Sequence, residues 1–111
     1  TFGHSSGDMI MRKVGQILKL ILRQEDYPCR FGGEEFAVVL PHTSPEQAQR
    51  VAERFREAIE KEEFDGIRVT CSGGLASFPN HGTSGSEIFE RADRALYEAK
   101  KAGKNRIILA S

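Results

Sequence analysis

Ile10, Val14, Ile17, Leu18 and Ile21 recur at three- and four-residue intervals, an apolar stripe that predicts a first helix opening at Gly7-Asp8. It should end between Arg23 and Asp26, because the residue before Pro28 is pushed out of the α region. Two short strand-like runs follow, around Cys29 and Phe31 and then Phe36 to Leu40, with Gly32-Gly33 between them. That pattern predicts a β-hairpin. Ser44, Pro45, Glu46 and Gln47 carry the residue types of a helix start. Ala48, Val51, Ala52, Phe55, Ala58 and Ile59 give that second helix its buried face. Asp65-Gly66 predicts a turn, and Ile67, Val69 and Cys71 alternate with polar residues as a strand buried on one face. Gly73-Gly74 marks a bulge or a close backbone approach, and Leu75 to Phe78 completes the run. Ser86 is the predicted cap of a third helix that turns Ile88, Phe89, Ala92, Leu96 and Ala99 inward. Gly103 ends it, and Arg106 to Leu109 form a short last strand. Helix, hairpin, helix, strand, helix, strand is the order of an α+β layer fold, with helices packed on a mainly antiparallel sheet.

Composition narrows the class. The 111 residues suit one domain with one core, and 39% hydrophobic with 29% charged residues is the balance of a soluble globular protein. Sixteen basic and sixteen acidic residues cancel, so no basic field argues for a nucleic acid polymer as partner. No apolar run is long enough to span a membrane and no signal peptide is visible, which points to a cytoplasmic location. Cys29 and Cys71 lie far apart in strand-like runs without metal-site spacing and read as reduced core residues. His4, His42 and His81 show no ligand pattern.

The chemistry concentrates at Gly32-Gly33-Glu34-Glu35. Glycines leave a turn that a ligand can approach closely, and carboxylates beside it suit a hard cation such as Mg²⁺, which is usually shared with phosphate. The same residues also describe an ordinary hairpin with solvated glutamates. Asp8 equally suits a helix N-terminus, favoured by the helix dipole. Lys100 and Lys104 equally suit a solvated surface, and Arg23, Asp26 and Arg54 a frayed helix end plus one exposed arginine.

Gly32-Gly33-Glu34-Glu35-Phe36 resembles the signature of GGDEF domains, the diguanylate cyclases, in its GGEEF form. Four further blocks resemble the same family in the same order. They are Phe2 to Asp8, the Arg23-Gln24-Glu25-Asp26 block separated from Gly32 by five residues, Ala92 to Lys100, and Gly103 to Arg106. The resemblance covers residues 1–111 as one domain. It implies a ferredoxin-like, nucleotide-cyclase-like sheet with helices packed on it, of which the family's first strand is absent from this chain. The start at Thr1 is expected to be internal to a longer bacterial protein with an upstream sensory or receiver domain, one that can itself be membrane-anchored.

The resemblance also implies roles. Glu34 would bind the catalytic Mg²⁺ or Mn²⁺ and assist in activating the attacking hydroxyl, with Glu35 supporting the metal. Gly32 and Gly33 would lie against the GTP substrate. Asp8 would accept from the guanine N1–H and N2–H₂, and Lys100 and Lys104 would meet its phosphates. At Lys104 the family often has arginine, so charge is kept without the bidentate fork. Arg23 and Asp26, joined by Arg54, would form an inhibitory site for cyclic di-GMP. The implied function is condensation of two GTP into cyclic di-GMP with release of two pyrophosphates, in a homodimer and under product inhibition. The chain taken alone is expected to be inactive, since the absent strand lies in the middle of the family's sheet and its loss would leave a gap in the core. Catalysis would also need two domains face to face. Two alternatives stand beside it, a non-catalytic receptor for cyclic di-GMP or GTP and a dimerisation module without nucleotide affinity.

Overall fold

The apolar stripe of the first predicted helix forms α1, Phe2–Ile21, in a computed structural model of the chain. The structure describes the backbone of residues 2–30 and 35–111, and side chains over 7–29 and 35–111. Two compact units divide the chain, Thr1–His42 and Thr43–Ser111.

In the first unit α1 buries Val14 and Leu18, two residues of the predicted stripe. The helix begins five residues before the predicted Gly7 and stops at Ile21. The hairpin follows as β1, Tyr27–Arg30, and β2, Phe36–Val39. They pair antiparallel from Tyr27 opposite Val39 to Arg30 opposite Phe36. The Phe36 ring lies over α1 at Gly15, where a Cβ would sit 3.7 Å from its Cζ, an ordinary contact. Cys29 is exposed, contrary to the expected core position. Among the described residues its sheet has two strands, and such a sheet leaves one face of each strand uncovered.

The second unit opens with α2, Pro45–Lys61. Ser44 caps it as predicted. Its Oγ accepts from the Gln47 N–H at 3.2 Å, and the Gln47 Oε1 accepts from the Ser44 N–H at 3.0 Å, a reciprocal capping box. Asp65 and Gly66 form the predicted turn, both at positive φ (53° and 81°), closed by Ile67 N–H donating to Phe64 O. β3 is Gly73–Leu75, α3 is Gly85–Lys101 and β4 is Ile107–Leu109. Ile59, Phe64, Ala95, Ala99 and Ala110 are buried in this unit.

Four expectations are corrected here. The strand predicted at Ile67 to Cys71 forms no ladder, which begins only at Gly73. The reason lies in its partner: Asn105, two residues before β4, sends its N–H to the Ser72 Oγ, and backbone pairing starts when Gly73 N–H donates to Arg106 O. β3 and β4 run parallel rather than antiparallel, as strands joined through a helical crossover can. The cap of α3 is Ser84, whose Oγ accepts from Glu87 N–H, and Ser86 already lies in the first turn. Phe89 is exposed rather than inward, while Ala95 takes a buried position on α3. The glycine pair behaves as predicted. The α3 backbone at Ala92 and Leu96 occupies the space a Cβ on Gly74 would need, so the helix rests directly on β3.

Candidate functional site

The hairpin register brings Arg30 opposite Phe36, at the two ends of the segment that carries the paired glycines and carboxylates. Gly32, Gly33 and Glu34 lie outside the described residues. Glu35 is half-buried immediately before β2. Among the described residues no group of three or more His, Cys, Asp and Glu could hold a metal ion.

Asp8 is exposed. Because α1 starts at Phe2, Asp8 is its seventh residue. The field of a helix N-terminus fades within the first turn, so the helix dipole does not account for this carboxylate.

Arg23 and Asp26 form a built turn rather than a frayed end. The Asp26 Oδ2 accepts from the Arg23 N–H at 2.8 Å, and Asp26 N–H donates to Arg23 O at 3.1 Å. The Asp26 side chain is 3% exposed and its Oδ1 lies 3.4 Å from the Arg23 guanidinium. That guanidinium also donates to Pro41 O at 3.2 Å and pairs with Glu25, yet the side chain stays 52% exposed. Asp26 is thereby turned inward to hold the loop, and Arg23 is presented outward from it. Arg54 is exposed on α2, in the other unit.

Lys100 lies in the last turn of α3, where cations complement the helix C-terminus. The helix stops in a Schellman motif, with Gly103 N–H donating to Lys100 O and Lys104 N–H to Ala99 O at 2.9 Å. Three residues in a row have positive φ: Gly103 at 128°, Lys104 at 64° and Asn105 at 49°. For lysine this region costs about 1–2 kcal/mol, so surrounding contacts must hold it there.

Those contacts converge on Asn105, a residue sequence reasoning passed over as part of a turn. Its Oδ1 accepts from the Arg56 guanidinium at 3.0 Å, and its Nδ2 donates to Glu60 Oε2 at 2.8 Å. Arg56 is held in turn by Glu53 at 2.6 Å and Glu60 at 3.5 Å, and Arg68 reaches Glu60 at 3.5 Å. The Asn105 amide, with Arg56 and Arg68 nearby, keeps the Glu60 carboxyl below the usual carboxylate range. The hydrogen bond to Glu53 raises the Arg56 pKa further. An asparagine after Gly-Lys was the available signal, since Asn tolerates the left-handed region better than most residues.

The family model for the diguanylate cyclase GGDEF domain matches residues 1–106. The chain belongs to the GGDEF family. Relatives agree with that membership. Diguanylate cyclase A of Treponema denticola is 44% identical over 99% of this chain, which spans only 31% of that protein. Among solved structures, the active GGEEF domain of a diguanylate cyclase from Vibrio cholerae superposes with a TM-score of 0.93 at 29% identity, covering 99% of this GGDEF chain and 72% of that one. The coiled coil and GGDEF domain of DgcB from Caulobacter crescentus, in complex with c-di-GMP, gives 0.87 at 28% identity, covering 99% and 61%. The mixed α+β fold of this chain is thus the fold of GGDEF domains.

Proposed function

We propose that this chain is the catalytic domain of a diguanylate cyclase, condensing two GTP into cyclic di-GMP and releasing two pyrophosphates. The observation that carries the proposal is the Gly32-Gly33-Glu34-Glu35-Phe36 signature, set between two paired strands of a chain that belongs to the GGDEF family. In each of two reactions a 3′-hydroxyl attacks the α-phosphorus of the other GTP. An O–P bond forms, the bond to pyrophosphate breaks, and the hydroxyl proton leaves to a base.

Glu34 is the proposed acceptor of that proton, either directly or through water. Glu34 and Glu35 would hold the Mg²⁺ or Mn²⁺, adjacent hard-oxygen donors of the kind such ions take. When bound, the cation supplies charge neutralisation at the triphosphate and at the departing pyrophosphate. Asp8, exposed inside α1, would accept from guanine N1–H and N2–H₂ together, a pair of donors adenine lacks on that edge. Lys100 and Lys104 would meet phosphate oxygens as point charges. Gly32 and Gly33 would let the backbone approach the nucleotide.

Product restraint is assigned to the Arg23–Asp26 turn. Arg23 would donate to a guanine or phosphate of cyclic di-GMP, and Asp26 would keep the guanidinium presented for it. Arg54 is proposed as a further arginine for the same ligand.

The test uses the full-length protein and its Glu34→Gln variant, each incubated with GTP and Mg²⁺, with nucleotides separated by ion exchange. Cyclic di-GMP from the parent and a loss of about 100-fold or more in Glu34→Gln are expected. No product from a dimeric parent would overturn the enzyme reading. Binding of cyclic di-GMP abolished by Arg23→Ala would then identify a receptor.

A further inference from the structure

We propose that Asn105, anchored by Arg56, Glu60 and Ser72, is a positioning residue that sets where Lys104 stands toward the nucleotide phosphates. The inference rests on the reading that Lys104 meets those phosphates.

Three observations carry it. First, Lys104 adopts a conformation that lysine alone disfavours, and strain of this kind persists only where neighbours over-determine it. Second, its own backbone is fixed at both ends. Its N–H donates to Ala99 O at 2.9 Å and its C=O accepts from the Arg106 Nε at 3.0 Å. Third, Asn105 is held by its N–H on Ser72 Oγ, its Oδ1 under Arg56 and its Nδ2 on Glu60. Each polar part of the amide side chain thus has a defined partner. Two of those partners lie on α2 and one just before β3. The turn after α3 is therefore tied to two separate elements.

Arg56 and Arg68 pair with Glu53 and Glu60, so the α2 partners of Asn105 are themselves held in place. The expected consequence is a lysine whose starting point is fixed before the nucleotide arrives, which lowers the ordering cost of binding.

The experiment is a double-mutant cycle on the full-length protein. Asn105→Gly keeps the backbone freedom of the left-handed region and removes the side-chain anchors, and Lys104→Ala removes the ammonium. KM and kcat for GTP are measured for the parent, both single variants and the double variant, with the thermal midpoint recorded without nucleotide. Asn105→Gly is expected to raise KM about 10-fold with kcat within about threefold, the scale of a lost supporting contact. In the Lys104→Ala background the same change should alter KM by less than about twofold, because its effect runs through the lysine. An equal multiplicative loss in both backgrounds would show a role in stability alone and overturn the inference. So would an unchanged KM in Asn105→Gly where Lys104→Ala raises it. If Lys104→Ala itself leaves KM unchanged, the phosphate role of Lys104 fails and the inference falls with it. Should Asn105→Gly not fold, Ser72→Ala removes only the acceptor of the Asn105 N–H. It should raise KM about threefold in the parent background and not in Lys104→Ala, and no change in either background would overturn the proposal.

Discussion

At the scale of single residues, the two cysteines show how one side chain takes opposite characters from its surroundings. Neither is in a disulfide. Burial pushes the Cys71 thiol up to about 11, whereas Cys29 stands exposed on β1. The thiolate is the reactive form, and at pH 8 a thiol of that acidity is about 0.1% ionised. Iodoacetamide at pH 8 should therefore label Cys29 at least about 10-fold faster than Cys71, read by mass spectrometry of peptides. Equal rates would mean that the Cys71 environment opens on the labelling timescale. The Arg23–Asp26 turn makes a related point. The sequence pairing of an arginine with an aspartate three residues on suggests two equal ligands, but burial separates their roles. Asp26 is spent on the Arg23 N–H and guanidinium, while the Arg23 side chain stays 52% exposed.

At the scale of elements, two glycines that look alike in the sequence have opposite meanings. Gly15 sits inside α1 with room for a methyl group against the Phe36 ring. Gly15→Ala should stabilise the protein by about 0.5–1 kcal/mol, from helix propensity alone. Gly74 sits under the α3 backbone, which cannot give way as a side chain could. Gly74→Ala should destabilise by about 3 kcal/mol through overpacking, and urea denaturation of the two variants checks both signs. The order of elements was legible because it rests on local signals. Examples are the apolar stripe through Val14 and Leu18, the Ser44-Pro45 cap and the Asp65-Gly66 turn. What was not legible depends on partners remote in the chain. Alternation from Ile67 to Cys71 reads as a strand, but a strand exists only where a ladder partner runs alongside, and β4 begins too late to supply one. Asn105 was missed for the same reason, since Arg56, Glu60 and Ser72 meet it only after α2, α3 and β4 have packed. The cap of α3 is a local exception: Ser84-Gly85-Ser86-Glu87 carries the S-x-x-E pattern of a capping box, which Ser86 lacks, and Ser84 is the residue that accepts from Glu87 N–H.

At the scale of the molecule, α1 and the turn directly after it carry two of the proposed nucleotide contacts. Asp8 lies in its N-terminal half, and the turn that presents Arg23 begins directly after Ile21. At 1.5 Å per residue, Asp8 and Ile21 are about 20 Å apart along the helix axis. A guanine held at one end and a cyclic dinucleotide held at the other therefore occupy different ground. If the proposed roles of Asp8 and Arg23 hold, product at Arg23 would not inhibit by taking the seat of GTP, and would act by restraining how whole domains meet. Cyclic di-GMP should accordingly lower Vmax while leaving KM for GTP within about twofold, and Arg23→Ala should abolish the effect. Inhibition that raised GTP can reverse would break this expectation. On that proposal the length of one helix would separate the sensing of substrate from the sensing of accumulated product, and would set the kinetic form that feedback takes.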